Sequence, residues 1–397
     1  MIGGLRLGAM LPAVSLLPRA AIGSAGERRR PRAERALVVV QLTGGNDGLN
    51  TVVPHRQDGY FRARPSIGLE RKSLHRLDDD HGLHPAMGAL GELFAEGRVA
   101  ILHGVGYPYP DRSHFRSMEI WHTGDPNGPQ PGPPGGIGWL GRLADRILAR
   151  DPTALPALHV GSGDLPLALW GERSFAPTLE DLETFRLEGS GEFAELRAAL
   201  LESDASSETE VGFLRSAART TYAVAGRLEK ALERGPPALY PSHELARRLA
   251  LVARVLAGGL GTRIFYVELA GFDTHARQGA THAALLAELS ESLAAFQRDL
   301  EASGLAERVV TFVFSEFGRR VEENGSKGTD HGAAAPAFLT GASVRGGLHG
   351  TPPDLERLVE GDVPFTTDFR ALYSTLEERW LGFEPSTGVA PYDILRV

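Results

Sequence analysis

The sequence predicts an α/β fold: a three-layer α/β/α sandwich on a mostly parallel sheet. Three observations carry this. Short apolar, β-branched runs recur along the 397 residues. Stretches with helical spacing alternate with them. The runs end in glycine or in polar turns, the pattern of an open sheet that collects a site at one edge. The 48 Gly and 26 Pro add tight turns and long loops, which suit an enzyme better than a helical scaffold.

At the N-terminus, residues 1–25 carry only Arg6 and Arg19 as charges, with a mostly apolar run from Leu7 to Leu17 and small residues from Ala20 to Ala25. This reads as an export signal, with a docked or disordered tail as the alternative. The run is too short to span a membrane. Residues 26–35 form a basic linker, and residues 36–397 are expected to be one domain with a helical and loop insertion around 162–260. Export places the mature chain, without a membrane span, in the periplasm or outside the cell. The net charge of −8 argues against a sequence-independent grip on nucleic acid. With no Cys, disulfides and Cys-ligated zinc are excluded.

Ala36–Thr43 reads as a buried strand, and its end, Gly44 to Asn50, puts Asp47 where open α/β sheets place ligands. Asn-Asp-Gly also suits a plain turn. His84 to Gly97 has helical spacing, and Val99 to Gly106 is a second strand. Tyr107 to Ser117 is a loop running into a helix with Ser113 near its cap. Ser is a common N-cap. It can also be a nucleophile where the helix terminus favours an anion, with Arg112, His114 and Arg116 beside it. Helices are predicted over Gly138–Arg150, Val211–Arg234 and His243–Ala257, and a short strand over Pro156–Gly161. Thr262–Leu269, Arg308–Phe314 and Pro336–Thr340 read as strands, Gly279–Ser303 as a long helix, and Asp368–Leu381 as the closing helix.

Four polar clusters gather between Gly271 and Gly350: Gly-Phe-Asp-Thr-His275, Ser-Glu-Phe-Gly-Arg319, Gly-Thr-Asp-His-Gly332 and Gly-Leu-His-Gly350. Carboxylates mixed with imidazoles suit Zn, Mn or Fe better than Ca. Asp47, Asp273, His275, Asp330, His331 and His349 could hold two divalent ions, with Ser113 as the hydroxyl to be activated. Glu316 could complete a metal site, orient His331 or pair with a neighbouring arginine. His114 could act as general acid or base. Taken singly, His84, His103 and His122 read as hydrogen-bonded structural histidines.

The order Asp, Ser, Asp-x-His, Asp-His, His resembles the alkaline phosphatase-like superfamily, which includes sulfatases and phosphoglycerate mutases. That resemblance implies a first metal site of Asp47, Ser113, Asp330 and His331, and a second of Asp273, His275 and His349. More closely, Gln41–Asn50, His103–Tyr107, Arg112–Phe115, Trp121–Gly124, Gly271–His275, Phe314–Arg319 and Thr329–Gly332 resemble the DUF1501 family of exported bacterial proteins. Two departures stand out. One residue, not three, separates Asp273 from His275, so that His282 is a substitute ligand. No Pro-x-Arg follows Ser113, so formylglycine chemistry is not expected. The resemblance implies a metal-dependent hydrolase of phosphate, phosphonate or sulfate esters, acting on a small anionic ester or a polysaccharide, with Arg112 or Arg116 as anion clamp. The alternative is a non-catalytic exported binding protein on the same fold.

Overall fold

A computed structural model describes residues 34–127, 136–180 and 239–397. The expected export signal and the helix over Val211–Arg234 lie outside these residues. In chain order the strands are β1 (Ala36–Thr43), β2 (Val52–Val53), β3 (His75–Arg76), β4 (Gly82–Leu83), β5 (Val99–Gly106), β6 (Ala157–Val160), β7 (Thr178–Leu179), β8 (Ile264–Ala270), β9 (Val309–Phe314), β10 (Ala335–Thr340), β11 (Gly347–His349) and β12 (Thr367–Asp368). The described α-helices are α1 (Gly48–Thr51), α2 (Asp58–Ala63), α3 (Gly88–Ala95), α4 (His114–Thr123), α5 (Trp139–Arg150), α6 (Glu244–Ala257), α7 (Gln278–Ala302) and α8 (Phe369–Ser374).

The main sheet runs β11-β5-β10-β9-β1-β8-β6-β7, with β12 also paired to β5. Its centre, β9-β1-β8-β6, is parallel. Both faces of these strands are covered, which is why they read as continuous apolar runs. Alternate residues of β1 go to opposite layers. Val38, Val40 and Leu42 pack with Leu249 and Val252 of α6 and Leu289 and Leu293 of α7. Leu37 and Val39 pack with Trp121 of α4, Leu140 and Leu143 of α5, and Leu372 of α8. The result is the expected three-layer α/β/α arrangement. Aromatic stacking fastens the second layer: Trp121 lies 4.7 Å from Phe314 and Trp139 lies 3.9 Å from Tyr373, ring centre to ring centre.

Three local expectations change. The helix expected from His84 begins as a 3-10 turn, Pro85–Met87, capped by the His84 ring, and becomes α-helical at Gly88. The closing segment is not one helix. Thr367–Asp368 first pairs with β5, Asp368 then caps α8, and a π-helical turn follows over Thr375–Leu381. β10 runs antiparallel to both β5 and β9. That reversal places its first residues at the edge where β5 and β9 end. Helix α6, expected within the insertion, lies in the covering layer because its Leu and Val stripe is buried. The three-stranded sheet β2-β4-β3 was not foreseen, since two-residue strands have no readable period.

Candidate metal centre

Four loops meet at the carboxyl edge of the sheet. β5 leads to α4, which begins at His114. β8 leads to Asp273 and His275. β9 leads to Glu316 and Arg319. The loop before β10 carries Asp330 and His331. All four non-glycine residues with left-handed φ among the described residues, Tyr109, Arg277, Lys327 and Glu360, lie in these loops or touch them. Such backbone strain persists where the surrounding contacts hold it in place.

Asp273 is the focus. Its Oδ1 lies 3.0 Å from His275 Nε2, 3.0 Å from His331 Nε2 and 3.5 Å from His114 Nε2. His275 Nε2 and His331 Nε2 are themselves 3.0 Å apart. One ligand atom each from His114, Asp273 and His331 lie within 4.8 Å of one another, a group able to hold a metal ion. The outer nitrogen of each ring is engaged by an acceptor. His114 Nδ1 donates to Glu316 Oε1 at 3.0 Å, His275 Nδ1 to Asp330 Oδ1 at 3.1 Å, and His331 Nδ1 to the Arg112 carbonyl at 2.7 Å. These partners set the tautomers. With the proton on Nδ1, each Nε2 keeps a lone pair aimed at the same small volume as Asp273 Oδ1. Four converging lone pairs repel one another unless a cation, metal or proton, stands among them. Outer-nitrogen partners of this kind are what metal-ligating histidines carry.

Charges around the centre follow the same logic. Burial alone would raise the Asp273 carboxyl; without a metal, a proton on His331 Nε2 donated to it, together with Arg319, outweighs burial and holds the pKa at about 2. The Glu316 hydrogen bond raises the His114 imidazole against the opposing effect of burial. Asn324 and then His275 hold Asp330 below the usual carboxylate range. Arg319 is fully buried and reaches Asp273 Oδ1 at 2.7 Å. Its other N–H groups donate to the carbonyls of Gly44, Gly45, Phe272 and Thr329. It therefore ties three of the four loops together while placing a fixed positive charge beside the carboxylate. Glu316, also fully buried, accepts from the Gly44 N–H and the Ser315 hydroxyl as well as from His114.

The family model for a protein of unknown function, DUF1501, matches residues 34–381. The chain belongs to the DUF1501 family. No curated protein matches it. Among solved structures, this DUF1501 chain is similar to a protein of the alkaline phosphatase superfamily from Vibrio parahaemolyticus, at 12% identity over 90% of this chain and 69% of that one, with a TM-score of 0.39. The lipoteichoic acid synthase LtaP from Listeria monocytogenes matches at 10% identity over 91% and 75%, with a TM-score of 0.35. The sulfatase PsFucS1 from Pseudoalteromonas sp. matches at 12% identity over 81% and 65%, with a TM-score of 0.33. Likeness at this level leaves the reading of the site to the residues themselves.

In this DUF1501 protein not every expected ligand reaches the centre. Asp273, His275, Glu316, Asp330 and His331 do, as ligand atoms or as their immediate supports. Asp47 is fully buried in an ion pair with Arg64 at 2.7 Å, receives Gln278 on the same oxygen, and caps α1 with the other. Its oxygens are committed, so it braces the β1 loop. His349 sits on edge strand β11, bonded to the Arg345 carbonyl at 2.7 Å. His282 is buried against Asn46 Oδ1 at 2.9 Å. Among the described residues the two-site arrangement is therefore not assembled; one centre is. Ser113 is exposed at the N-cap of α4 and makes no side-chain cap bond. Arg112 pairs with Asp362 and Arg116 with Glu119, so neither guanidinium is free as the expected anion clamp. In the sequence Arg319, like Arg320, reads only as a salt-bridge partner for Glu316, and His114 reads as an acid or base. Their adjacency to Asp273 has no local signal, since 46 residues separate Arg319 from Asp273.

Proposed function

We propose that this protein is an exported metal-dependent hydrolase of phosphate, phosphonate or sulfate esters, with one divalent ion, Zn or Mn, held by His114, Asp273 and His331 and approached by His275. The convergence of imidazole lone pairs on Asp273 Oδ1, each ring held from behind, supports this reading most directly. The residues fit such an ion: three imidazole nitrogens and one carboxylate oxygen are a borderline-soft donor set. A bound ion there supplies Lewis-acid polarisation of an ester oxygen. Asp273 stands half exposed, so a substrate can approach from solvent. Glu316 and Asp330 fix the rings of His114 and His275, while Arg319 offsets the negative charge of Asp273 and of an arriving ester. Ser113, one residue before His114, offers a hydroxyl not committed to capping, at the positive end of α4. Its role here is nucleophile. Substrates of this class include small anionic esters and esterified polysaccharides. No helix among the described residues is long and apolar enough to cross a membrane.

Metal analysis joined to turnover tests the reading. Wild type should retain a divalent ion through dialysis, and His331→Ala should lose it. Ser113→Ala should retain the ion while hydrolysis of aryl phosphate, phosphonate and sulfate esters falls by at least about 100-fold, the scale of a lost catalytic group. A wild type that takes up neither Zn nor Mn would sink the metal centre. Full metal with no turnover of any of the three ester classes would favour the non-catalytic binding protein.

A further inference from the structure

A second set of histidines lies outside this centre. His81 is buried after the turn Asp78–Asp80. Its Nδ1 donates to the two Asp78 oxygens at 3.1 and 3.2 Å. That carboxylate is itself fixed by the backbone N–H groups of Asp80 and His81. The ring proton thus sits on Nδ1 and Nε2 keeps a lone pair. This Nε2 is buried and has no partner. His103 of β5 was expected to be a hydrogen-bonded structural histidine, yet its Nε2 is also buried without a partner. The two ring centres are 5.1 Å apart. Two imidazoles that share a tetrahedral zinc through nitrogens at ~2.0–2.1 Å have ring centres about 5 Å apart. A third buried nitrogen without a partner, Nδ1 of His55, lies near His81. His55 and Asp78 also line a cavity of about 290 Å³, whose wall includes Arg71 and Arg76.

We propose that His81 and His103, closed by His55, form a second site for a divalent transition metal of the zinc class, separate from the centre at Asp273. Three neutral imidazoles suit Zn, Cu or Ni and not Ca or Mg. Asp78 stands behind His81 as Glu316 stands behind His114, the carboxylate–histidine arrangement that orients a ligand ring. His81 and His103 are the preset pair. Among the described residues only the first centre already holds three ligand atoms within 4.8 Å, so His55 joins on loading.

Zinc content of the full-length protein after saturation and dialysis tests this, with circular dichroism to check folding. Wild type should hold two ions, and His331→Ala and His81→Asn one each. Asn at position 81 can keep a donor toward Asp78, which guards the fold; if it nevertheless unfolds, His103→Gln replaces it. Equal zinc in wild type and the folded position-81 or position-103 variant overturns the site. A wild type with a single ion, lost in His81→Asn but kept in His331→Ala, upholds this site and removes the first centre, so the two readings fail separately.

Discussion

Glu316 shows how much one side chain behind a ligand can decide. It has no exposure, and its carboxylate holds His114 from behind while accepting the Gly44 N–H. Replacing it with Gln keeps the shape but removes the charge, and leaves one acceptor oxygen where two accept from Gly44, His114 and Ser315. Metal affinity of Glu316→Gln should fall about 10- to 100-fold, the usual cost of losing an outer partner. Competition with a chromophoric chelator measures this; a change smaller than twofold would show that His114 is not a ligand held by Glu316. Asp273, His275, Asp330 and His331 were readable because each sits in a short polar motif after or before an apolar run. Glu316 was readable as a residue of interest but not in its role. The role depends on His114, which is 202 positions away.

At the scale of elements, the centre exists because loop ends are packed against each other with no spare room. Gly44 has φ +120, and a Cβ there would stand 2.4 Å from the Asp273 backbone nitrogen and 2.8 Å from the Phe272 carbonyl carbon. Neither is a flexible side-chain end that could swing away. Gly44→Ala should therefore push the Asp273 loop from the β1 loop and lose the metal, together with stability on the order of 1–3 kcal/mol from backbone strain alone. Elemental analysis and the denaturation midpoint check the two effects; an unchanged metal content would mean that the loops are not clamped as described. The antiparallel course of β10 matters as much. Were it parallel, Asp330 and His331 would lie at the opposite edge of the sheet.

Across the whole molecule, buried neutral histidines set the response to acid. Burial presses His84, His122 and His282 down to about 4, against about 6.5 in an unfolded chain. Above pH 6.5 both states leave these rings neutral and stability is full. As pH falls from 6.5 toward 4, the unfolded chain takes up protons that the folded one refuses, so stability drops by up to about 1.4 kcal/mol per pH unit for each ring. Melting temperature should fall steeply across that window. His122→Gln, which can still bond Gln41 and Tyr266 in place of the ring, should flatten the slope, whatever it does to stability at pH 7. A melting temperature level between pH 6.5 and 4.5 would contradict the burial of these rings.

The sequence by itself determined the layer order and the covering of the sheet, because period and apolarity are local properties. It also determined which motifs carry the donors, because a strand's end is written beside the strand. The tertiary structure alone decided which donors meet. Asp47 and Asp273 look alike as acids after apolar strands, yet Arg64 and Gln278 claim the first while three imidazoles crowd the second. His349 follows a Gly-Leu pair as plausibly as His331 follows an Asp, but pairing on an edge strand holds it against Arg345. His103 reads in sequence as a hydrogen-bonded structural histidine and His81 carries no signal at all, and only packing leaves the Nε2 of each facing no partner. Convergence is a property of distances between residues far apart in the chain, and no local pattern encodes it.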